Sequence, residues 1–324
     1  MTQVSDQMVV RNLIEKIRHR IREKLLSTTF LKTDRELLRS LDKLMETKKA
    51  VGLPETAFES PLYETTYEVD RFELFLSLYK RRQDRDMLVH LSNSRLEQKF
   101  VFKTYFDFSA SYDGETMEIS HMYMQRPFFA VQFPDSYNYG FLGNTIGHEF
   151  FHQFSPKRVN EFWQKNERYI ESANCYTKFY DDICFDLSLY DSVTNGTKVR
   201  EVCTKGSTDL GENMPDVEGA RVAFETMRAE LGEVALKERA IPEFHYTNEQ
   251  MFFIAVAQLH CDKDLNNHQY LADEMLDEDP HASGNVRVNG IAMQMAEFAD
   301  AFHCQPGDPM VTAEEEKCYL LPTD

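Results

Sequence analysis

The sequence predicts a mainly helical α+β fold with a small antiparallel sheet, on three observations. Apolar residues recur at three- and four-residue spacing near the start of the chain. An aromatic stretch of period-two character, with a tight turn after it, follows residue 100. Helical patterning returns from Leu142 and is interrupted by a polar stretch at 191–209. Layers of helix over a short sheet are the expected way to bury such faces.

The first helix is marked by Val10, Leu13, Ile14, Ile17, Ile21 and Leu25, with Arg and Lys between them. Glu15 and Glu23 interrupt its basic face, so it reads as a helix packed on the main domain rather than a membrane or targeting element. A second helical stretch covers 33–49, and Pro54 closes the region. The stretch 100–108 alternates like a strand, Asp113-Gly114 marks a turn, and 117–124 reads as the returning strand. A hairpin therefore precedes the helix that follows.

Composition fixes the broad class. With 324 residues, 42% hydrophobic and 28% charged, the chain has the makeup of a soluble globular protein with a sizeable core. No run reaches the roughly 18 consecutive apolar residues of a membrane span. Residues 1–10 lack the basic and apolar regions of a secretory signal, so the chain reads as cytosolic or as a fragment or variant. Net charge is −18, and residues 106–324 alone carry −22. That field repels phosphate, so nucleic acid is not expected as a partner; cations and basic peptides are favoured. The six cysteines, Cys175, Cys184, Cys203, Cys261, Cys304 and Cys318, fit either disulfides or cytosolic thiols. Cys184 and Cys203 flank the polar 191–202 stretch and are placed to close it as a local loop. Asn195-Gly196-Thr197 is a glycosylation sequon.

The chemistry lies in His148-Glu149-Phe150-Phe151-His152. Histidines four apart share one helix face and can hold one metal ion. Glu149 sits about 100° round the helix from His148, where it reaches a metal-bound water without ligating. Zinc lowers that water's pKa to about 7, and a carboxylate then takes its proton during attack on a carbonyl. Gly147 permits close approach of a neighbour. A catalytic zinc has three protein ligands and an open position, and Glu212 is the best third candidate. Asp216, four residues further on, shares the Glu212 face and can hold the outer nitrogen of a ligand histidine.

These motifs, with Asn138-Tyr139-Gly140, Gly211-Glu212-Asn213, Arg287-Val288-Asn289-Gly290 and the segment from Glu297 to Met310, resemble the neprilysin and endothelin-converting-enzyme family of zinc endopeptidases. The resemblance implies a thermolysin-like zincin domain over 99–324, with 1–98 as a helical segment packed on it. It implies one Zn2+ per chain on His148, His152 and Glu212, with Glu149 as general base and Asp216 orienting a ligand histidine. His281 would steady the oxyanion and Arg287 would bind a substrate carbonyl. Ser109, Ala110 and Tyr112 would form the substrate-gripping strand, and Phe128 would line a pocket. The family's placement is at the plasma membrane or outside the cell, and its partners are peptide substrates. It also implies a Cys175–Cys318 bridge and leaves Cys261 and Cys304 unpaired.

Departures from the pattern are specific. Ser109 stands for Asn in the substrate strand. Gln153-Phe154-Ser155 stands for Gly-Phe-Asp after the second histidine, losing an acidic group. Pro215 falls between Glu212 and Asp216, which a helix starting near Glu212 would tolerate. The pocket for the residue after the cleaved bond carries Asn144-Thr145 and Leu259-His260 where the family is apolar, and Tyr123 where it is aliphatic. The leading expectation is a metalloendopeptidase. The alternative is a truncated or degenerate relative that binds zinc and peptides, or a partner, without efficient turnover.

Overall fold

The computed structural model describes residues 4–28, 35–52, 108–159, 161–191, 195–261 and 281–321. The stretch 100–107 and Pro54 lie outside the described residues.

Helix α1 spans Val4–Ser27 and α2 Arg35–Glu46. Val10, Ile14, Ile17, Ile21 and Leu25 of α1 are each fully buried, on the stripe that their spacing draws. Each such side chain contributes roughly 1.5–3 kcal/mol of burial, so Ile17→Asp would detach the helix. The chain then forms strand β1, Lys48–Val51. Strands β2 (Ala110–Tyr112) and β3 (Thr116–Ile119) are joined by a turn in which Asp113 Oδ1 accepts from the amides of Glu115 (2.8 Å) and Thr116 (2.7 Å). The order is β1-β3-β2. Ala110 faces Ile119 and Tyr112 faces Met117 in the antiparallel pair, while Lys48 faces Thr116 in a parallel one.

The sheet is thus mixed, not purely antiparallel. The reading of 33–49 as helix hid β1, because a parallel partner far along the chain leaves no local signal. The returning strand is also shorter than read: His121–Met124 is a 3-10 turn.

A short helix α3 (Asp135–Asn138) runs through a π-turn at Tyr139–Gly143 into α4, Asn144–Phe151, whose residues are all buried. After α5 (Glu161–Lys165) and α6 (Glu167–Asp181) comes a hairpin of β4 (Cys184–Asp191) and β5 (Gly196–Cys203). The polar stretch read as a loop is therefore largely strand. Helix α7, Gly206–Leu236, is the centre of the molecule: Met214, Val217, Ala220, Val222, Ala223, Phe224 and Met227 are all fully buried. It packs against α4, α6 and α1, and its regular path breaks at Gly232, φ 79°. Helix α8 (Asn248–Leu259) starts in a capping box of Thr247 and Gln250. Helices α9 (Gly284–Gln294) and α10 (Ala296–Phe302) complete the domain. Among the described residues, no helix is long and apolar enough to cross a membrane.

Two disulfides are formed. Cys175–Cys318 ties α6 to the C-terminal segment, and Cys184–Cys203 closes the base of the hairpin, with Cα separations of 5.6 and 4.0 Å. Cys261 and Cys304 are unpaired. All four outcomes match the expected framework. The C-terminal segment is clamped further by buried Arg221 of α7. Its guanidinium donates to the carbonyls of Cys318 (2.5 Å) and Gln294 (2.6 Å) and to Glu218 Oε1 (3.0 Å).

Candidate metal centre

The centre forms where α4 crosses α7. A Cβ added to Gly147 would lie 2.6 Å from the Gly219 carbonyl oxygen, and one added to Gly219 would lie 2.4 Å from the His148 nitrogen. Only glycine on both helices permits this approach. The crossing sets the first helix's histidines against the second helix's carboxylates.

His148 Nε2 lies 3.2 Å and His152 Nε2 3.6 Å from Glu212 Oε2. Behind His148, Asp216 Oδ1 is 2.8 Å from Nδ1. Arg287 of α9 grips Asp216 from the other side, donating from Nε and Nη2 at 2.6 Å each. That bidentate pair holds the carboxylate in place, and it leaves Nη1 as the guanidinium nitrogen not engaged by Asp216. His281 Nε2 is 3.2 Å from Glu212 Oε2, on the open side: its side chain is 44% exposed, against 10% for His148. Glu149 Oε2 lies further back, 4.0 Å from His152 Nε2.

Electrostatics sort these groups. Burial raises the Glu149 carboxyl to about 7; His148 opposes this and Glu212 adds to it. Burial works to lower His148, yet the Asp216 and Glu212 carboxylates raise it to about 9. His152 is pushed down to about 4 by burial and then by His148. Burial would lift the Glu212 and Asp216 carboxyls. The imidazoles round Glu212, and Arg287 with His148 beside Asp216, outweigh it and hold both well below the carboxylate range.

The donor set fits a zinc ion. Glu212 Oε2 is buried with three imidazole nitrogens 3.2–3.6 Å away and no hydrogen bond in good geometry among the described residues. Ligands about 2.0–2.1 Å from a tetrahedral zinc stand roughly 3.3–3.4 Å apart, and the two histidine–glutamate separations bracket that value. His148, Glu149 and His152 also fall within 4.8 Å as a potential ligand group. Glu212 Oε2 lies nearer to His152 Nε2 than Glu149 Oε2 does, 3.6 against 4.0 Å.

Ser109 and Ala110 lie at and just before β2, an edge strand against α4 whose far side carries no strand among the described residues. Tyr112 is buried, its hydroxyl bonding the Gly114 carbonyl (2.9 Å), so its ring serves the core. Arg158 donates to the Tyr112 carbonyl, a contact no sequence pattern announced. Phe128 packs on Phe108 (centroids 4.4 Å), which stacks on Tyr123 at 4.1 Å. Burial, then Glu149, raises the Tyr123 hydroxyl, while Arg287 and Thr145 oppose. His260 is lowered by burial to about 4 and feels Asp216, Arg287 and His148; its buried Nε2 has no hydrogen-bond partner among the described residues. Asn144 is likewise buried, and its Oδ1 has no hydrogen-bond partner among the described residues.

The fold and this frame, two histidines on one helix and a glutamate on the helix crossing it, are those of a zincin. Residues 109–318 match the sequence pattern of Peptidase family M13. The chain is 31% identical to neprilysin-1 of Caenorhabditis elegans over 58% of its own length and 24% of that protein's. It is 28% identical to endothelin-converting enzyme-like 1 of Homo sapiens over 81% of its length and 32% of that protein's. The inhibitor complex of the Mycobacterium tuberculosis zinc metalloprotease ZMP1 superposes with a TM-score of 0.72 at 19% identity, covering 98% of this chain and 47% of that one. The chain thus spans a quarter to a third of the curated relatives and about half of the solved structure. It belongs to peptidase family M13.

Proposed function

We propose that this chain is the catalytic part of a zinc metalloendopeptidase. The observation that carries the proposal is the convergence of His148 Nε2, His152 Nε2 and Glu212 Oε2 on one point, with Asp216 set behind His148. Those three side chains would hold one zinc, which when bound supplies Lewis acidity to a water and to the scissile carbonyl. Glu149, beside His152, takes the proton of the attacking water and returns it to the leaving amine. His281, at the open side, donates to the oxyanion as it develops. Asp216 keeps the His148 ring turned to the metal, and Arg287 fixes Asp216 while offering Nη1 to a substrate carbonyl. The edge strand at Ser109–Ala110 pairs with an extended peptide and lays its carbonyl over the site. Phe128, Tyr123, Thr145 and His260 are assigned to the pocket for the residue after the cleaved bond. Two disulfides favour an oxidising compartment, in keeping with the extracellular or membrane setting of the family.

The test is cleavage of a peptide library by the zinc-loaded chain and its Glu149→Gln variant. Turnover that falls about 100- to 10,000-fold in the variant supports the base assignment. Zinc-loaded protein that captures peptides without cutting them supports the alternative, a binding protein. No zinc and no cleavage would refute both.

A further inference from the structure

Two departures from the family pattern, Ser155 and Pro215, meet in the structure at one hydrogen bond. Helix α7 starts at Gly206, so Pro215 lies inside it and not in its first turn as the sequence suggested. Proline has no N–H, and the partner it deprives of a helical bond is the carbonyl four residues back, Gly211. Ser155, only 4% exposed, donates its hydroxyl to that carbonyl at 2.9 Å. The same oxygen lies 3.4 Å from His152 Nδ1.

A hydroxyl carries one proton. With that proton directed to Gly211, Ser155 Oγ can only accept from His152, and a hydrogen bond between them requires the imidazole proton on Nδ1. A neutral imidazole has one N–H, and Nε2 is then left as a lone pair turned towards Glu212 Oε2, 3.6 Å away. His148 is held by a carboxylate at the matching nitrogen; His152 is held by a neutral hydroxyl whose direction is set by a proline. Gly211 directly precedes Glu212, so the relay also joins the end of α4 to the backbone beside the third ligand.

We propose that Ser155 is a positioning residue that locks His152 in its metal-ready tautomer, with the Gly211 carbonyl released by Pro215 as the anchor of the relay. The proposal rests on the assignment of His152 and Glu212 as zinc ligands, but its central readout needs no metal. Nitrogen-15 histidine spectra of the metal-free chain should show His152 as the Nδ1–H tautomer. Ser155→Ala should move it to a mixture with the Nε2–H form, and Ser155→Thr, which keeps the hydroxyl, should restore it. In chelator competition, Ser155→Ala should bind zinc about 10-fold more weakly, the low end for loss of a ligand's outer partner. Pro215→Ala, which returns a helical N–H to Gly211, should weaken zinc binding while raising the unfolding midpoint, and the double variant should lose less affinity than the two losses combined. A wild-type His152 protonated on Nε2 overturns the proposal. So does a folded Ser155→Ala with unchanged tautomer and zinc affinity. If the wild-type chain binds no zinc, the ligand assignment fails, and the tautomer spectra still decide the relay.

Discussion

Gly219→Ala probes the crossing on which the centre depends. The added Cβ would lie 2.4 Å from the His148 nitrogen and 2.8 Å from its Cα. Ordinary contact between such atoms is about 3.5–4.0 Å, so the helices must part by roughly 1 Å. Alanine adds helix propensity of at most about 1 kcal/mol over glycine. Overpacking against backbone, which cannot rotate away, costs about 1–3 kcal/mol, so the steric term wins and the unfolding midpoint falls by several degrees. The larger effect is on the metal. His148 rides on one helix and Glu212 on the other, and zinc ligation tolerates distance errors of only about 0.2 Å. We expect zinc affinity to fall by at least about 10-fold, as when a ligand's support is lost. Gly211→Ala is the control, since a Cβ there meets nothing within 4 Å. The assay is chelator competition with thermal unfolding, with and without zinc. A Gly219→Ala chain with wild-type affinity and midpoint would refute the argument.

Three further outcomes are expected. Zinc binding should tighten as pH rises towards 9. His148 is raised to about 9 in the metal-free site, so its proton stabilises that form below the ordinary histidine range and is lost as pH passes about 9; calorimetry at pH 7.5 in buffers of differing ionisation enthalpy should show about one proton released per zinc. Replacing Cys175 and Cys318 by Ser should destabilise the chain more than replacing Cys184 and Cys203, because the closed loops differ, 143 against 19 residues; chain entropy puts the two at about 5 and 3 kcal/mol, to be read from denaturant unfolding. Library profiling should show a weaker preference for Phe or Leu after the cleaved bond than neprilysin shows, and more tolerance of polar residues, because His260 and Asn144 bring to this region buried polar atoms that have no partner among the described residues; a profile dominated by large apolar residues would contradict it.

Where a residue's placement depends on spacing along one helix, the sequence showed it. His148 and His152, Glu212 and Asp216, and the buried face of α1 all follow from a repeat of about 3.6 residues. The disulfide at the hairpin base was legible because its cysteines flank one local stretch. What escaped was set by contacts between distant segments. The parallel pairing of Lys48–Val51 with Thr116–Ile119 has no local pattern to announce it. The start of α7 was misplaced because Pro215 reads as a first-turn residue, while the hydroxyl that bonds the Gly211 carbonyl comes from Ser155, 56 residues before Gly211. Arg287 could be assigned to the site by resemblance, but its bidentate hold on Asp216 belongs to the tertiary structure. The Glu218 and Arg221 pair carried a weak signal in its three-residue spacing, yet its clamp on Cys318 did not.

The central claim is that one zinc sits between α4 and α7 on two imidazoles and one carboxylate. X-ray absorption at the zinc edge, with metal content measured on the same samples, tests it most directly. One zinc per chain is expected, with only nitrogen and oxygen neighbours at about 2.0–2.2 Å. Glu212→Ala should strip the metal and Glu149→Gln should retain it. A sulfur neighbour at about 2.3 Å, or equal loss of zinc in both variants, would contradict the account.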